Sequence, residues 1–562
     1  MPCEEVKREE RVNDCMKNHR SLISILLLVF LVSLTACGGG GDQGGGAGSQ
    51  ADGGSQAGGG VASASPDEFV SYTIGVSDYL GRFLAGLTPT EAPAATSAVF
   101  DQILKTDPKT KALISDCLED WGWEDDTTFV MKLRPGVIFS NGAEATAEDL
   151  VYSYTSYPMR GSTNLNSLGL IWDECYARDR YTGVFKFERP LRTFTNSSIN
   201  LICKEWSEEV GWESLDWYYP VGSGPYTCVD FVSEDIIRLK ARDDWWGEAL
   251  YGPIYVDEWV IKYYKDASTM YMDLEVGKID FCEVQATDYS RYLKNGGNGF
   301  EAIMLQSGVV MYLTMSQVDR PDIWTNKRIR EAVAIGVNWD ELGGVVQNEL
   351  FIPAKSMLPQ LAPNFIDPGG YEYNPEKARQ ILAEEGYGPN NPIKLFTTLM
   401  DSQLYKAFGE NVQFQFSQIG IDLAIDFVDI ATAINVAFAP GGTDIGLFWS
   451  IGGSPSFDLY AGISAAVWAT GATHIYIPEE DNPEFYALFN RMTYTSDVDD
   501  ANLAMKELQQ YIHDDYTYLP FAEMTGAFGY RTDKFSEEQL RRFVNFVNMY
   551  LLGSWGLASA WQ

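Results

Sequence analysis

One stretch fixes its own local structure more tightly than any other part of the chain. It runs from Trp121 to Tyr154 and reads W-G-W-E-D-D-T-T-F-V-M-K-L-R-P-G-V-I-F-S-N-G-A-E-A-T-A-E-D-L-V-Y-S-Y. Phe129, Met131 and Leu133 alternate with Val130, Lys132 and Arg134, the period of a strand with one buried face. Pro135-Gly136 turns the chain, Val137-Ile138-Phe139 predicts a second short strand, and Asn141-Gly142 turns it again. Thr146 then reads as a helix N-cap, with Glu148 and Asp149 in the first turn, where the helix dipole favours acids. Ala147, Leu150, Val151 and Tyr154 follow at helical spacing and give that helix one apolar face.

Upstream of this stretch the chain has two further regions. Residues 22–34 are almost wholly apolar, too short for a bilayer span of about 20 residues but right for the core of a secretory signal, with Lys17 and Arg20 as its positive flank. Residues 1–36 are therefore read as a signal peptide. Its acidic beginning, Glu4, Glu5, Glu9 and Glu10, suggests that translation starts at Met16. Residues 38–66 are almost all Gly, Ser, Ala and Gln, with two Asp, Val61 and Pro66, a composition that cannot offset its chain entropy by burial and so reads as a flexible tether. No Gly-x-x-x-x-Gly-Lys-Ser/Thr occurs among these glycines, which argues against a phosphate loop.

The remaining residues, 67–562, exceed what one core accommodates and imply two or three domains. The formal net charge is -37, and residues before Cys37 carry five basic and five acidic side chains, so the whole excess lies after it. That argues against nucleic acid and against docking on anionic lipid through side chains. It serves solubility outside the cell and weakly favours cationic ligands. Five cysteines follow Cys37, namely Cys117, Cys175, Cys203, Cys228 and Cys282, with no C-x-x-C, so at least one is unpaired within the chain and a disulfide is an open question.

Catalytic signals are missing. There is no H-E-x-x-H and no G-x-S-x-G, and past the signal only His474 and His513 remain. The adjacent acids Glu479-Glu480 and Asp499-Asp500 do not converge on one point and read as solvated surface. The expectation is a non-enzyme with no cofactor and no resident metal.

The run from Asp125 to Ser153 resembles the signature of the family 5 extracellular solute-binding proteins, the peptide- and nickel-binding receptors of ABC importers. The signature is structural and does not mark the ligand site. Further blocks extend the resemblance over residues 67–562: P-V-G-S-G-P-Y at 220–226, R-D-D-W-W-G at 242–247, G-K-I-D at 277–280, the helical K-R-I-R-E-A-V-A-I-G-V after Asn326, and Y-N-P-E-K-A from Tyr373 to Gly386. Leu34-Thr35-Ala36-Cys37 resembles a bacterial lipobox, with Cys37 lipidated as the mature N-terminus. The implied fold is a two-lobed α/β structure with a hinge and an extra inserted domain. Domain I would combine residues 67–100, 222–305 and 525–562, domain II would be 101–221 and domain III 306–524, with the ligand between domains I and III.

The resemblance implies an extracytoplasmic, membrane-anchored monomeric receptor that delivers oligopeptides to ABC permease subunits. The alternatives are a nickel-chelate or other small-solute receptor, for which one histidine suffices, and a peptide sensor uncoupled from transport. It places the site on Trp449, Ser450, Ile451 and Gly452, in a strand that pairs with a peptide backbone. Asp78 and Tyr79 would line the opposite wall. Peptide-binding relatives carry an Asp three residues after the Trp, where this chain has Gly452; Asp458 lies further on. A ligand's free α-amine is therefore expected to add little, unless Asp458 or Asp444 takes that place.

Overall fold

A computed structural model describes residues 69–76, 93–106, 113–156, 169–191, 199–212, 214–284, 288–289, 299–317, 319–347, 352–401, 403–429, 432–433, 436, 442–451, 479, 482–495, 497–516 and 518–543. The sequence expectations at Cys37, Asp78, Tyr79, Gly452, Asp458 and His474, and those for the signal and tether, lie outside these residues.

A nine-stranded sheet dominates the described residues. From one edge its order is Ile445–Ile451, Phe300–Met315, Tyr518–Arg531, Phe281–Val284, Ser71–Val76, Glu258–Tyr263, Ile236–Ala241 and Tyr226–Val232. The short strand Ile352–Pro353 joins beside Tyr518–Arg531. A four-stranded antiparallel sheet, Leu118–Asp125, Thr128–Leu133, Thr182–Lys186 and Tyr176–Ala177, contains the first half of the signature. A parallel pair, Ile393–Met400 and Ile421–Val428, lies in the second half of the chain.

The buried residues separate by chain position. Two clusters draw their buried members from residues up to Ile303 and from Ala527 onward. Two others draw theirs from Met311 to Ala522. Phe300–Met315 and Tyr518–Arg531 run antiparallel through both regions. Their register is regular from Phe300↔Arg531 to Gln306↔Thr525 and then slips, resuming at Val310↔Glu523. Three residues on one strand thus face one on the other at the crossing, the kind of irregularity that bends a ladder.

The signature folds largely as its periodicity requires. Phe129, Met131 and Leu133 are buried on one face of Thr128–Leu133 while Lys132 is exposed. The second short strand does not form. Ile138 makes one isolated bridge to Glu144, because Asn141-Gly142 reverses the chain so tightly that the Phe139 and Ala145 N–H groups bond only to Ala143 and Val137. Thr146 precedes the helix Ala147–Thr155, and its backbone N–H and hydroxyl both donate to Asp149 Oδ2 (2.8 and 2.9 Å). Asp149 is buried and also accepts from the Lys204 N–H at 2.9 Å, so it joins two helices rather than merely facing a dipole.

Three of the recognisable blocks meet at Arg242. Its buried guanidinium donates to the carbonyls of Ile138 and Gly224 at 3.2 Å, Gly222 at 3.4 Å and Phe139 at 3.2 Å, with Nε on Asp244 Oδ1 at 3.0 Å. Hydrogen bonds from a charged donor contribute roughly 1.5–3 kcal/mol each. Gly222 and Gly224 press against the backbone of Ala98 and Val99, and a Cβ on either would collide with a carbonyl oxygen there. The residues of these blocks thus serve one structural junction.

Elsewhere, helix starts follow their caps. Asn326 Oδ1 accepts from Arg328 N before Lys327–Gly336, Asn338 Oδ1 from Glu341 N before Trp339–Gln347, and Asn374 Oδ1 from Lys377 N before Pro375–Glu384. Ile329, Ala332, Val333 and Gly336 are all buried, as the spacing predicts. The five described cysteines all carry free thiols, which answers the open disulfide question for those residues. Burial raises the Cys117 and Cys282 pKa values and pushes that of Cys228 up to about 12.

Candidate functional site

The strand Ile445–Ile451 forms the edge of the large sheet. It pairs antiparallel with Phe300–Met315, with Ile445 opposite Met315, Gly446 opposite Thr314, an irregularity, then Trp449, Ser450 and Ile451 opposite Tyr312, Met311 and Val310. Its entry is held firmly. The Asp444 N–H donates to the Phe396 carbonyl at 2.8 Å, and Asp444 Oδ2 accepts from the Phe396 N–H at 2.9 Å. Thr397 Oγ1 donates to the Ile445 carbonyl at 2.8 Å, and Trp324 Nε1 donates to the Asp444 carbonyl at 2.7 Å.

Beyond Ile445, no strand among the described residues pairs with the outer edge. An edge strand presents a row of backbone N–H and C=O groups ready to pair with another extended chain. Here its first residues are fixed by side chains and backbone, while the stretch that follows pairs on its inner side with Phe300–Met315 and has no described strand on its outer side. Such an edge can bind an extended ligand through main-chain hydrogen bonds that require no particular side chains.

Of the sequence-predicted site residues, Trp449, Ser450 and Ile451 lie together on this edge strand. Asp444, considered as a replacement amine acceptor, is already committed. Besides Phe396 it receives Arg320 Nη1 at 3.3 Å. Burial raises its pKa, with Arg320 and the Phe396 N–H opposing that rise. His513 stacks on Tyr371 with ring centroids 4.7 Å apart, and its Nδ1 lies 3.0 Å from Asp514 Oδ1. Among the described residues no group of three His, Cys, Asp or Glu side chains is placed to hold a metal ion.

One buried acid escaped the sequence reading. Glu523 lies in register with Val310, which in turn faces Ile451, so the three form one row across three strands. Its side chain is 1% exposed. Oε1 accepts from the Gln360 N–H at 2.9 Å, and Oε2 has no hydrogen-bond partner. Burial raises its pKa, with Gln360 opposing. The available signal was a single acid inside the apolar run Leu519 to Ala527, where a charge rarely sits without a reason.

The sequence matches the family described as bacterial extracellular solute-binding proteins, family 5 Middle, over residues 112–464, more than half of the chain. The chain belongs to the bacterial extracellular solute-binding proteins of family 5. Among family relatives, the oligopeptide-binding protein AppA of Bacillus subtilis is 24% identical over 448 residues, covering 74% of this chain and 77% of AppA. The crystal structure of Bacillus subtilis AppA in complex with a nonapeptide superposes with a TM-score of 0.65 at 21% identity, covering 83% of this chain and 95% of that one. The substrate-binding protein CtaP of Listeria monocytogenes gives a TM-score of 0.72 at 19% identity, covering 86% and 99%. NikA of Staphylococcus aureus, in complex with Ni(L-His)2, gives 0.63 at 19% identity, covering 82% and 95%. These likenesses establish the two-lobed α/β fold of the family for this chain.

Proposed function

We propose that this family 5 solute-binding protein captures oligopeptides between its lobes and delivers them to the permease of an ABC importer. The observation that carries the reading is the edge strand Ile445–Ile451, anchored at its entry and open along its outer edge among the described residues. A peptide of any sequence offers the same backbone donors and acceptors to such an edge, so affinity comes without strong sequence preference. Peptide binding by AppA, as its name and its nonapeptide complex state, favours the same ligand class here.

In this reading residues 67–100, 222–305 and 525–562 form domain I, 101–221 the inserted domain II and 306–524 domain III. The register slip between Gln306↔Thr525 and Val310↔Glu523 supports a hinge at that boundary. Trp449, Ser450, Ile451 and Gly452 form the peptide-pairing wall, with Asp78 and Tyr79 opposite and Asp458 beyond. The chain acts as a monomer without enzymatic activity, held on the outer face of the cytoplasmic membrane by lipidated Cys37 and the tether 38–66.

A thermal-shift panel of di- to octapeptides, nickel chelates and sugars tests the reading. A ligand that binds only the folded state adds about 2.7 kcal/mol at a hundredfold excess over Kd. Stabilisation by peptides is expected. Hits confined to nickel chelates or sugars would overturn it.

A further inference from the structure

We infer that the joint between the four-stranded sheet and the large sheet is a proton-operated clasp, shut while Asp101 holds a proton and loosened when Asp101 gives it up. The clasp lies away from the peptide-binding edge and gives the fold a response to pH that the peptide reading does not contain.

The chain crosses this joint twice. It leaves the helix Pro93–Val99, passes Asp101 toward Lys105–Thr106 and the four-stranded sheet, and returns through Gly222, Ser223 and Gly224 into Tyr226–Val232, the far edge of the large sheet. The two crossings lie side by side. The Gly224 N–H donates to the Val99 carbonyl, the Leu201 N–H to the Asp101 carbonyl and the Ile103 N–H to the Ile199 carbonyl, each at 2.8 Å. The Asp101 N–H donates to Ser223 Oγ at 3.4 Å. Trp246 Nε1 donates to Asp101 Oδ2 at 3.1 Å and to the Ser223 carbonyl at 2.9 Å. Asp101 thus ties the outgoing crossing to the returning one.

The charges around it do not balance. Asp101 and Asp116 are 2% and 1% exposed. The Lys105 ammonium and the Tyr251 hydroxyl both go to the Asp116 carboxylate. Arg134 donates from Nε to the Asp116 carbonyl at 2.9 Å, and Arg242 donates to the carbonyls on either side of Ser223 and to Asp244. Cys117, a further titratable neighbour, is a buried thiol whose pKa burial raises. The donors that reach the Asp101 carboxyl among the described residues, Trp246 and Ser223, are neutral. Two buried carboxylates therefore share one ammonium, which is already on Asp116. Ionising Asp101 leaves a buried negative charge without a counter-ion, so the shut joint favours its protonated form. Its pKa is accordingly pushed up to about 7, by burial first and by Asp116 second, with Lys105, Ser223 and Trp246 opposing.

Water relieves the cost of the ionised form only where the joint parts. In the parted state Asp101 is solvated and titrates near about 3.9. Between that value and about 7, each pH unit favours the parted state by up to about tenfold; above that window the effect levels off.

The test is amide hydrogen exchange of the full-length protein at pH 5, 6 and 7, corrected for the intrinsic pH dependence of exchange, on wild type and Asp101→Asn. Asparagine keeps an acceptor for Trp246 and cannot ionise. In wild type the Ile103, Leu201 and Gly224 amides are expected to be less protected than those of Phe281–Val284, and to lose protection at least tenfold between pH 5 and 7. In Asp101→Asn that loss is expected to vanish. Protection that does not change with pH, or a loss that survives in Asp101→Asn, overturns the inference. Joint amides as well protected as those of Phe281–Val284 also overturn it, because only unfolding of the whole chain would then respond to pH. If Asp101→Asn does not fold, Asp116→Asn decides. That variant frees Lys105 to pair with Asp101, so the loss is expected to shrink, and an unchanged loss overturns the inference.

Discussion

Arg189 lies over the ring of Tyr494, its guanidinium carbon 3.6 Å from the ring centre, with one N–H donating to the phenol oxygen at 2.6 Å. Arg189 follows the strand Thr182–Lys186, and Tyr494 caps the helix Pro483–Thr493. Tyr494 packs against one core cluster from each of the two regions. This side-chain hydrogen bond links the two regions away from the long strands. A cation over an exposed aromatic ring is worth about 0.5–1 kcal/mol, and more when desolvated. Arg189→Ala is therefore expected to speed peptide release about fivefold, with little change in the association rate. Stopped-flow displacement of a fluorescent peptide measures this. An unchanged release rate would show that the contact plays no part in holding the lobes closed.

Gly222→Ala tests the junction around Arg242. A methyl group there meets the Val99 carbonyl, which is backbone and cannot swing aside, so the turn must shift and draw the Arg242 bonds with it. Overpacking and the loss of a buried network together predict a destabilisation of about 3 kcal/mol or more. The midpoint of urea unfolding reads it directly; a shift equivalent to less than about 0.5 kcal/mol would mean that the junction tolerates movement.

Asp101 makes stability depend on pH. It is buried beside Asp116, accepts from Trp246 Nε1 at 3.1 Å, and has its pKa pushed up to about 7, by burial first and by Asp116 second. Asp116 is itself held by Lys105 and Tyr251. An unfolded aspartate titrates near about 3.9. Between pH about 4 and about 7 the folded chain therefore keeps a proton that the unfolded chain has lost, and stability from this group falls as pH rises through that window. Asp101→Asn removes the cost. Its stability relative to wild type should rise across the window, by on the order of 1–4 kcal/mol in total, and then level off. Denaturant titrations at pH 4.5, 6 and 8 check this; a difference that does not grow with pH contradicts the assignment.

Cys37→Ala is expected to leave the fold and peptide affinity unchanged while releasing the protein from the membrane. In the proposed reading Cys37 carries the lipid and the Gly-rich composition of residues 38–66 cannot offset its chain entropy by burial, so folding should not depend on the anchor. Cell fractionation reads the outcome, and a variant still sedimenting with membranes would refute the lipidation reading.

Local rules made much of this fold legible. The alternation at Phe129, Met131 and Leu133 and the caps at Thr146, Asn326 and Asn374 depend on neighbours within a few residues, and each formed as read. The run Val137-Ile138-Phe139 reads as a strand because all three side chains are apolar, and Val137 and Phe139 are indeed buried. Its backbone groups instead bond across the Asn141-Gly142 reversal and to Arg242, a residue about a hundred positions away, which no local pattern reports. The same limit applies to the candidate site. A resemblance pointed to Trp449, Ser450 and Ile451, but only the strand order puts them at an edge, and only the register brings Glu523 into line with Ile451. In sequence, Glu523 is one acid in an apolar run.

The central claim, that an extended peptide adds to the edge strand, is tested most directly by a crystal structure of the protein with a bound hexa-alanine peptide. The account predicts a ligand backbone hydrogen-bonded to the outer edge of residues 446–451, continuing the large sheet by one strand. A ligand seated elsewhere, with no main-chain hydrogen bonds to that edge, would contradict it.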